Sequence, residues 1–379
     1  MGSPSGEAAA GERRADRWSL LNLLATVSSV ERLRKCRRCP HGESVTIDRR
    51  GDRASYSGLQ TCGSVWLCPL CSARIWAERR SEVERAIEAH HLAGGRVVMV
   101  TLTMRHKNGD KLASLWAGVS DAWAAARGGN SAARRAMHAA GAEGWLRVVE
   151  VTHGAASWHV HVHALVFVAG HVGENGAQQL GGTMFSAWAA NLDKRGHRPI
   201  RDAGGLDVQL VALDGAGGAL GDYFTKATFT ESSAAAEVAG SHGKSARAAN
   251  RSPWAIAAAL VNGEARDFAL WREWEKASKG RRALTWSRGL RDRLLADAEQ
   301  TDEDIAAATD GLGDVVAILP ASSWESIRDV PGLPVRLLEA VENAPADIEL
   351  ARHAVDLALA AHGLPRSLPP PSGRAEGAP

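Results

Sequence analysis

Apolar and polar positions follow the most regular pattern in the middle of the chain, where they predict four strands. Arg96–Thr103 (RVVMVTLT) is a continuous run rich in β-branched residues, which is typical of a buried strand. Residues 144–152 (GWLRVVEVT) predict a second strand, and the turn-like residues 153–157 predict a hairpin that returns along Trp158–Val168 (WHVHVHALVFV). A fourth strand is expected at residues 206–213.

Helical patterns separate these strands. Residues 110–127, with an alanine-rich stretch beyond them, and residues 177–193 each predict a helix, and another is expected at residues 217–228. The resulting order, β-α-β-β-α-β-α, suits an antiparallel sheet with its helices packed on one side. We therefore predict an α+β fold with a ferredoxin-like antiparallel sheet at its core.

The segments on either side of this core have weaker patterns. Residues 1–17 are rich in Ser, Gly, Ala and charged residues and are expected to be disordered, and a short helix is expected at residues 19–34. A helix with Ser72 as its N-cap is expected to run towards His91.

After the core, residues 231–252 predict a mobile basic loop, residues 253–295 predict helix, and another helix is expected near residues 348–361. These patterns divide the chain into five regions. They are a disordered or helical tail (1–28), a cysteine-rich zinc module (29–91), the α+β core (92–230), a basic loop with helices (231–300) and an acidic C-terminal region with helix (301–379).

Composition and charge narrow the class of protein. The N-terminal residues lack the apolar stretch of a secretory signal, and no uncharged apolar run reaches the roughly 18 residues of a membrane span. We therefore expect a cytoplasmic protein, in which cysteines are metal ligands rather than disulfides. The net charge of +2 hides an asymmetry, because residues 301–379 carry −8 and the rest of the chain carries +10. A basic body of this kind suits a polyanionic ligand.

Three histidines at two-residue spacing are the most informative chemical feature. His159, His161 and His163 lie on one predicted strand, so their imidazoles project from the same face, whether as metal ligands or as polar groups on a wet sheet surface. In the hairpin, Glu150 pairs with either His161 or His159, and both registers bring the carboxylate to that face. Two imidazoles and a carboxylate suit a divalent ion that acts as a Lewis acid. We predict that Glu150, His161 and His163 bind Mg²⁺ or Mn²⁺, with His159 as a further ligand, a supporting donor or a phosphate contact.

The chain has two tyrosines, Tyr56 and Tyr223. Tyr223 lies on the helix expected at residues 217–228, and Lys226 lies three residues on, which places it on the same helix face. A phenol has a pKa of about 10, so it needs nearby positive charge to attack at neutral pH. Tyr223 is a candidate nucleophile assisted by Lys226, and the alternative is a packed tyrosine beside a surface lysine.

The five cysteines predict a structural zinc site. Cys36 and Cys39 form one CxxC pair, Cys68 and Cys71 form a second, and Cys62 lies between them. Cys62 can replace one of the four, and His41 can compete, so the ligand set stays open. The basic residues beside the first pair favour a surface that faces DNA; they are Arg32, Arg34, Lys35, Arg37 and Arg38.

In combination, these features resemble the HUH-endonuclease replication initiators, or Rep proteins, of rolling-circle plasmids. Thr101-Leu102-Thr103, His161-Val162-His163 and the Tyr-x-x-Lys helix at 223–226 are similar to the three motifs of that family, in the same order. The segment CGSVWLCPLC at 62–71 is similar to a cysteine segment of plasmid Rep proteins. LWREW at 270–274, followed by TWS at 285–287, is similar to Rep proteins of actinobacterial plasmids.

The resemblance implies a metal-dependent nicking-joining enzyme whose nicking domain is residues 92–230. Tyr223 would attack the plus strand at the plasmid double-strand origin and become linked to the 5′ phosphate, while the metal at His161 and His163 polarises the scissile phosphate. The freed 3′ hydroxyl would prime DNA synthesis, and the phosphotyrosine would allow later rejoining. The implied partner is DNA, single-stranded at the nick, and a host helicase, a DNA polymerase and a homodimer are further expectations.

One position departs from the family pattern. Initiators of this kind often have a carboxylate about one helical turn before the tyrosine, where this chain has Ala219, so the residue that acts at termination stays open. The alternatives are an HUH-type single-strand transposase and a non-enzymatic zinc-dependent DNA-binding regulator. The regulator predicts DNA binding without metal-dependent nicking.

Overall fold

The computed structural model describes residues 4–155, 157–211, 250–308 and 313–370, with side chains from residue 12 onward. In these ranges the strands are β1 Ser44–Arg50, β2 Arg53–Ser57, β3 Arg96–Thr103, β4 Gly144–His153, β5 Trp158–Val168, β6 Leu206–Leu210, β7 Leu284–Trp286 and β8 Asp314–Pro320. The α-helices are α1 Pro4–Val27, α2 Glu31–Lys35, α3 Pro69–Leu92, α4 Leu112–Ala124, α5 Ser131–Ala139, α6 Glu174–Asp193, α7 Pro253–Ala259, α8 Ala265–Ser278, α9 Leu290–Leu294, α10 Asp302–Ala307, α11 Ala321–Asp329, α12 Leu333–Asn343 and α13 Ile348–Ala360.

The chain forms two compact units. The terminal unit contains Met1–Arg74 and Thr301–Pro379, and the central unit contains Ile75–Gln300. The two ends of the chain share one sheet and one core, whereas the sequence analysis assigned residues 29–91 and 301–379 to separate regions.

The central unit is built on a five-stranded antiparallel sheet in the order β6-β3-β5-β4-β7. The predicted strand Arg96–Thr103 is confirmed to the residue, and the predicted hairpin forms from β4 and β5. Side chains alternate along β5, so one face of the sheet carries the three histidines and the other carries buried apolar residues such as Val160 and Val162. On that apolar face, Trp158 stacks against Trp274 of α8, which stacks against Trp116 of α4. The mixed α/β class with an antiparallel sheet agrees with the sequence prediction.

The terminal unit has a three-stranded antiparallel sheet in the order β2-β1-β8. Ile47 of β1 and Val316 of β8 are fully buried in its core, together with residues of α11, α12 and α13. The N-terminal residues belong to the same unit, since Trp18 packs edge-on against Tyr56 and Trp324. Residues 1–17 were predicted to be disordered, and this was wrong from Pro4 onward, because α1 begins there and buries an apolar face.

Four strands were missed by the sequence analysis, namely β1, β2, β7 and β8. β1 and β2 form a hairpin with a two-residue loop, Gly51-Asp52, since Arg50 pairs with Arg53. Gly51 has a φ of +60°, which glycine adopts without the steric cost of a Cβ. β7 interrupts the stretch at 253–295 that was predicted to be helical throughout, and it pairs with β4. The predicted helix at 217–228 and nearly all of the predicted loop at 231–252 lie outside the described residues.

A buried ion-pair cluster connects α3 to α9 within the central unit. Glu82 accepts from Arg79 Nη1 at 2.7 Å through one carboxylate oxygen and from Arg291 Nη2 at 2.8 Å through the other. All three side chains are buried, and Arg291 Nη1 also donates to the carbonyl oxygen of Asp297 at 2.6 Å. The Glu82 carboxylate is thus shared by two guanidinium groups that have little access to water, and Arg291 also lies 3.6 Å from the half-exposed carboxylate of Asp297.

We expect Glu82→Gln to lower the free energy of unfolding of the central unit by about 3–5 kcal/mol, because it leaves two buried cations without their shared anion. Urea unfolding followed by tryptophan fluorescence measures the change. Glu84→Gln is the matched control on the same helix, since Glu84 pairs with Arg80 at 2.9 Å in a half-exposed position and should cost at most about 1 kcal/mol. Equal costs for the two variants would contradict this account of Glu82.

Candidate active site

The central sheet brings the predicted metal ligands onto one face. Glu150 of β4 lies directly opposite His161 of β5, which decides between the two registers that the sequence left open. On the other side of β5, Thr103 of β3 lies opposite His161 and Thr101 lies opposite His163. All five side chains therefore project from the same face of three adjacent strands.

Hydrogen bonds hold the two central imidazoles in place. The Thr101 hydroxyl lies 3.1 Å from Nδ1 of His163, and the Thr103 hydroxyl lies 3.1 Å from Nδ1 of His161. At His161, a threonine oxygen that accepts from Nδ1–H leaves the lone pair on Nε2, the nitrogen available to a metal. At His163, Nε2 is 2.9 Å from a carboxylate oxygen of Glu150, which can only accept, so Nε2–H donates to it and Nδ1 accepts from the Thr101 hydroxyl. A metal bound at Nε2 of His163 would take the place of that hydrogen.

The histidine rings form a stacked row. The ring centroids of His159 and His161 are 6.3 Å apart and those of His161 and His163 are 6.5 Å apart, with interplanar angles of 16° and 9°. Burial lowers the pKa of His161, an effect that Glu150 partly opposes. Burial and the neighbouring imidazoles of His106 and His161 lower the pKa of His159 to about 4. His159 and His161 are therefore neutral at neutral pH, the form in which imidazole binds metal ions.

The donor set fits a divalent ion, although it does not form a closed cluster. Two imidazoles and a carboxylate are ligands that Mn²⁺ and related ions accept. Within the described ranges, however, only a group of cysteines has three or more ligand atoms within 4.8 Å of one another. Glu150, His161 and His163 share a face, but their ligand atoms do not all lie within 4.8 Å of one another.

Sequence analysis missed the neighbours that support this face. The ring of His106, just beyond β3, has its centroid 3.9 Å from that of His159. Trp188 of α6 donates from Nε1 to the carbonyl oxygen of Thr103 at 3.1 Å and so connects α6 to the end of β3. The hydrogen bonds between the two threonines and the imidazoles were also missed. Their signal was present, because Thr101 and Thr103 have the same two-residue spacing as the histidines.

The cysteine group lies in the terminal unit. It consists of Cys36, Cys62, Cys68 and Cys71, all buried, with Sγ atoms within 4.8 Å of one another. Sγ of Cys36 is 3.5 Å from Sγ of both Cys68 and Cys71, and Sγ of Cys62 is 3.8 Å from that of Cys71. Four thiolates at about 2.3 Å from a tetrahedral zinc ion would be about 3.8 Å apart, so the spacing fits a metal such as zinc.

The group brings together four of the five cysteines that the sequence analysis named as candidate ligands. Cys39 was predicted as a ligand, but it is half-buried and lies outside the group, where Cys62 occupies the fourth position. Pro69 begins α3 directly after Cys68, and the backbone N–H of Cys71 donates to Sγ of Cys68 at 3.4 Å. Hydrogen bonds from Cys36 and the other two thiols lower the pKa of the Cys71 thiol well below its usual value. All five cysteines are free of disulfides.

Comparisons with known proteins identify the family. A family model described as "Replication protein" matches residues 57–175. The chain is also 31% identical over 319 residues to "Protein rep" of Streptomyces lividans, an alignment that covers 67% of this chain and 69% of the relative. The chain belongs to the Rep family of rolling-circle plasmids. A "Neomycin resistance protein" of Streptomyces cyanogenus is 31% identical to this Rep over 151 residues, which cover 33% of this chain and 35% of the relative. No solved structure matches.

The matched region of this Rep contains much of the chemistry described above. Residues 57–175 include the Thr, Glu and His side chains of the sheet face and three of the four grouped cysteines, but neither Cys36 nor Tyr223. Family membership assigns the protein to plasmid replication and hence to DNA. No helix in the described parts of the Rep chain is long and apolar enough to cross a membrane.

Of the two tyrosines of this Rep, Tyr56 lies within the described residues. Tyr56 is buried, and its hydroxyl donates to the carbonyl oxygen of Pro334 at 2.7 Å. Burial raises the pKa of Tyr56 well above its usual value, which makes it a poor nucleophile. Tyr223 and Lys226 lie outside the described residues, as does Ala219.

Proposed function

We propose that this Rep protein initiates rolling-circle replication by nicking plasmid DNA at its double-strand origin, with Tyr223 as the nucleophile and a divalent metal as cofactor. The observation that carries the proposal is the arrangement of Glu150, His161 and His163 on one sheet face, with two threonines oriented towards the imidazoles. A regulator that only binds DNA has no need for neutral imidazoles and a carboxylate aligned in this way.

The strand order supports an HUH core of the ferredoxin-like kind. Along the chain, β3, α4, β4, β5, α6 and β6 give the order β-α-β-β-α-β. In the sheet, β6 lies beside β3, β3 lies beside β5, and β5 lies beside β4, and each of these pairs is antiparallel. This is the arrangement of a split βαβ fold, extended here by β7.

The metal would be held by Glu150, His161 and His163. When bound, a divalent ion supplies Lewis-acid stabilisation of the negative charge that develops on phosphate oxygens. The chain's own residues provide the setting for that chemistry: Thr101 and Thr103 orient the imidazoles, and the lowered pKa of His161 keeps its ring neutral.

Chain connectivity is compatible with Tyr223 reaching this face. The backbone N–H of Val211 donates to the carbonyl oxygen of Val97, at the opposite end of β3 from Thr103. Tyr223 follows Val211 by twelve residues, a length of chain that can span up to about 40 Å when extended. The strand from Val97 to Thr103 is about 20 Å long, so the length of chain permits Tyr223 to return to this end of the sheet.

The proposed reaction is a transesterification. The Tyr223 phenol loses its proton and its oxygen bonds to the phosphorus, while the bond from phosphorus to the 3′ oxygen breaks and that oxygen takes up a proton. Lys226, on the same face of the predicted helix, would stabilise the phenolate. Since one phosphodiester replaces another, the tyrosine linkage retains the energy needed for rejoining, and no co-reactant is consumed.

The buried cysteines complete the proposal. Cys36, Cys62, Cys68 and Cys71 would hold a structural zinc ion, and the neighbouring Arg32 would contact DNA phosphates.

The test is incubation of the protein with a supercoiled plasmid that carries its own gene and flanking DNA, with Mn²⁺, with Mg²⁺ or with EDTA. We expect open circles only with a divalent metal, and protein attached to the 5′ end of the nicked strand. DNA binding with no nicking in any divalent metal would refute the proposal and favour a DNA-binding regulator.

Removing a threonine hydroxyl tests the proposed metal site without removing a ligand. We expect Thr103→Val, which keeps the side-chain shape but removes the hydrogen bond to His161, to weaken Mn²⁺ binding by about 10–100-fold. Binding of Mn²⁺ is measured by its electron paramagnetic resonance signal. Thr152→Val is the control, because Thr152 lies opposite His159 in the sheet, and it should change the affinity little. Equal effects of the two substitutions would argue against the role given to Thr103.

A further inference from the structure

The sheet face opposite the candidate active site carries an arginine cluster that the proposed nicking reaction does not use. Arg147 lies on β4 and pairs in register with Thr285 of β7. It is three residues from Glu150, so the alternation of side chains along β4 places it on the other face of the sheet. Its guanidinium lies near those of Arg127 and Arg281, whose charges lower its pKa. We call Arg127, Arg147 and Arg281 the arginine cluster.

The guanidinium of Arg147 has few hydrogen-bond partners in this position. Its Nε is buried and has no hydrogen-bond partner, and its only described hydrogen bond is a long one, 3.4 Å from Nη2 to the hydroxyl of Thr285. Burial and, after it, the charges of Arg127 and Arg281 lower the pKa of Arg147 to about 10. Neither Arg127 nor Arg147 forms an ion pair with a carboxylate in the described parts of the chain. A half-buried guanidinium with like charges nearby is costly unless an anion joins it.

Aromatic rings support the other two arginines. The guanidinium carbon of Arg127 lies 5.4 Å from the ring centroid of Trp145, and that of Arg281 lies 5.1 Å from the ring centroid of Trp116. Trp145 in turn packs edge-on against the buried Trp123. These cation–π contacts restrict both guanidinium groups, and Nε of Arg281 also donates to the carbonyl oxygen of Ala277 at 3.2 Å. The guanidinium of Arg127 can still donate hydrogen bonds along its own plane.

We propose that the arginine cluster binds the phosphate backbone of a DNA strand on the face opposite the nicking site. Arginine is suited to phosphate because its planar fork donates two parallel hydrogen bonds to two oxygens. The surrounding chain is basic, since Lys279, Arg282 and Arg288 flank β7 within ten residues. The geometry alone specifies an oxyanion, and the choice of DNA phosphate rests on the proposed function.

Such a site would give the protein a second DNA contact, separate from the scissile strand. Phosphate contacts fix position and orientation on DNA without reading its sequence. The arginine cluster would therefore contribute affinity that is independent of the origin sequence and strongly dependent on salt.

The test measures binding of a fluorescent dT20 oligonucleotide by anisotropy across a range of NaCl concentrations. We compare the wild type with Arg147→Met and with Arg127→Met, the second of which changes an exposed side chain. Arg80→Met is the matched control, since Arg80 is a half-buried arginine of the same unit that already pairs with Glu84 at 2.9 Å. Melting temperatures are recorded with and without inorganic phosphate.

We expect Arg147→Met and Arg127→Met each to weaken dT20 binding by about 10-fold at low salt, and to reduce the slope of log K against log salt by about 0.7, as expected for one lost contact to single-stranded DNA. Arg147→Met should not melt below the wild type, because it removes an unsatisfied buried charge. Unchanged affinity and slope in both variants, or an equal loss in Arg80→Met, would overturn the proposal. So would stabilisation of the wild type by inorganic phosphate with unchanged dT20 binding in both variants, which would indicate a free-phosphate site.

Plasmid nicking separates this inference from the proposed function. Wild-type protein that binds dT20 through the arginine cluster but never nicks would refute the nicking proposal alone. Wild-type protein that nicks while the arginine variants bind dT20 normally would refute the inference alone.

Discussion

Replacing Tyr223 with Phe is expected to abolish covalent attachment of the protein to DNA, whereas replacing Tyr56 with Phe is expected to preserve it. The chain has only these two tyrosines, so the pair of variants tests every phenol in the molecule. Phenylalanine lacks the oxygen that forms the bond to phosphorus, so the loss at Tyr223 should be complete within the sensitivity of the assay, at least about 1,000-fold.

Tyr56→Phe should instead affect stability. The Tyr56 hydroxyl donates to the carbonyl oxygen of Pro334 at 2.7 Å, and its removal leaves that buried acceptor without this partner. The expected cost is about 1–3 kcal/mol of the stability of the terminal unit, with nicking unchanged in the folded protein. Thermal unfolding and 5′-end analysis of nicked plasmid measure the two effects separately.

Two results would contradict this assignment. Metal-dependent nicking that survives in Tyr223→Phe with no protein on the 5′ end would indicate that water is the nucleophile. Covalent attachment that is lost in folded Tyr56→Phe would transfer the role to Tyr56, despite the burial that raises the pKa of its phenol.

The central sheet could be predicted well because its signal is local. Arg96–Thr103 is a run of β-branched residues bounded by turns, and the histidine strand begins one short turn after its hairpin partner. β7 was missed because it is only three residues long and lies between α8 and α9, in a stretch that is otherwise helical. A strand of that length is defined by its pairing with β4 rather than by its own pattern.

The terminal unit could not be predicted because its contacts connect distant parts of the sequence. β1 pairs with β8, more than 260 residues later, and Arg14 forms a two-pronged ion pair with Glu342. α1 is a weakly amphipathic sequence in isolation, and its burial depends on Trp18 packing against residues from both ends of the chain. Local composition therefore suggested disorder where tertiary contacts impose a helix.

The candidate active site could be predicted as a set of residues but not as an arrangement. Two-residue spacing was enough to assign His161 and His163 to one face, whereas the pairing of Glu150 with His161 required the hairpin register. The cysteines, too, could be predicted as a set of candidate ligands but not as an arrangement in space. Spacing favoured the two CxxC pairs, yet the fold brings Cys62 into the group and leaves Cys39 outside it, because spacing in sequence does not fix distance in space.

Cys71→Ser is expected to release the bound metal and unfold the terminal unit, whereas Cys39→Ser is expected to retain both metal and fold. Sγ of Cys71 lies 3.5 Å from that of Cys36 and 3.8 Å from that of Cys62, so its loss removes the sulfur shared by these contacts. Apparent binding free energies of structural zinc are about 10–16 kcal/mol in small zinc domains, and most of this becomes folding free energy.

The measurements are the zinc content of the purified protein and its thermal unfolding with and without a chelator. The wild type and Cys39→Ser should each contain one zinc per chain and melt at a lower temperature with chelator, while Cys71→Ser should contain none and be insensitive to chelator. Loss of zinc from Cys39→Ser would mean that the metal recruits both CxxC pairs and displaces Cys62. Because Cys62 and Cys39 both lie close in sequence to other ligands, this comparison distinguishes a site defined by the fold from one defined by sequence spacing.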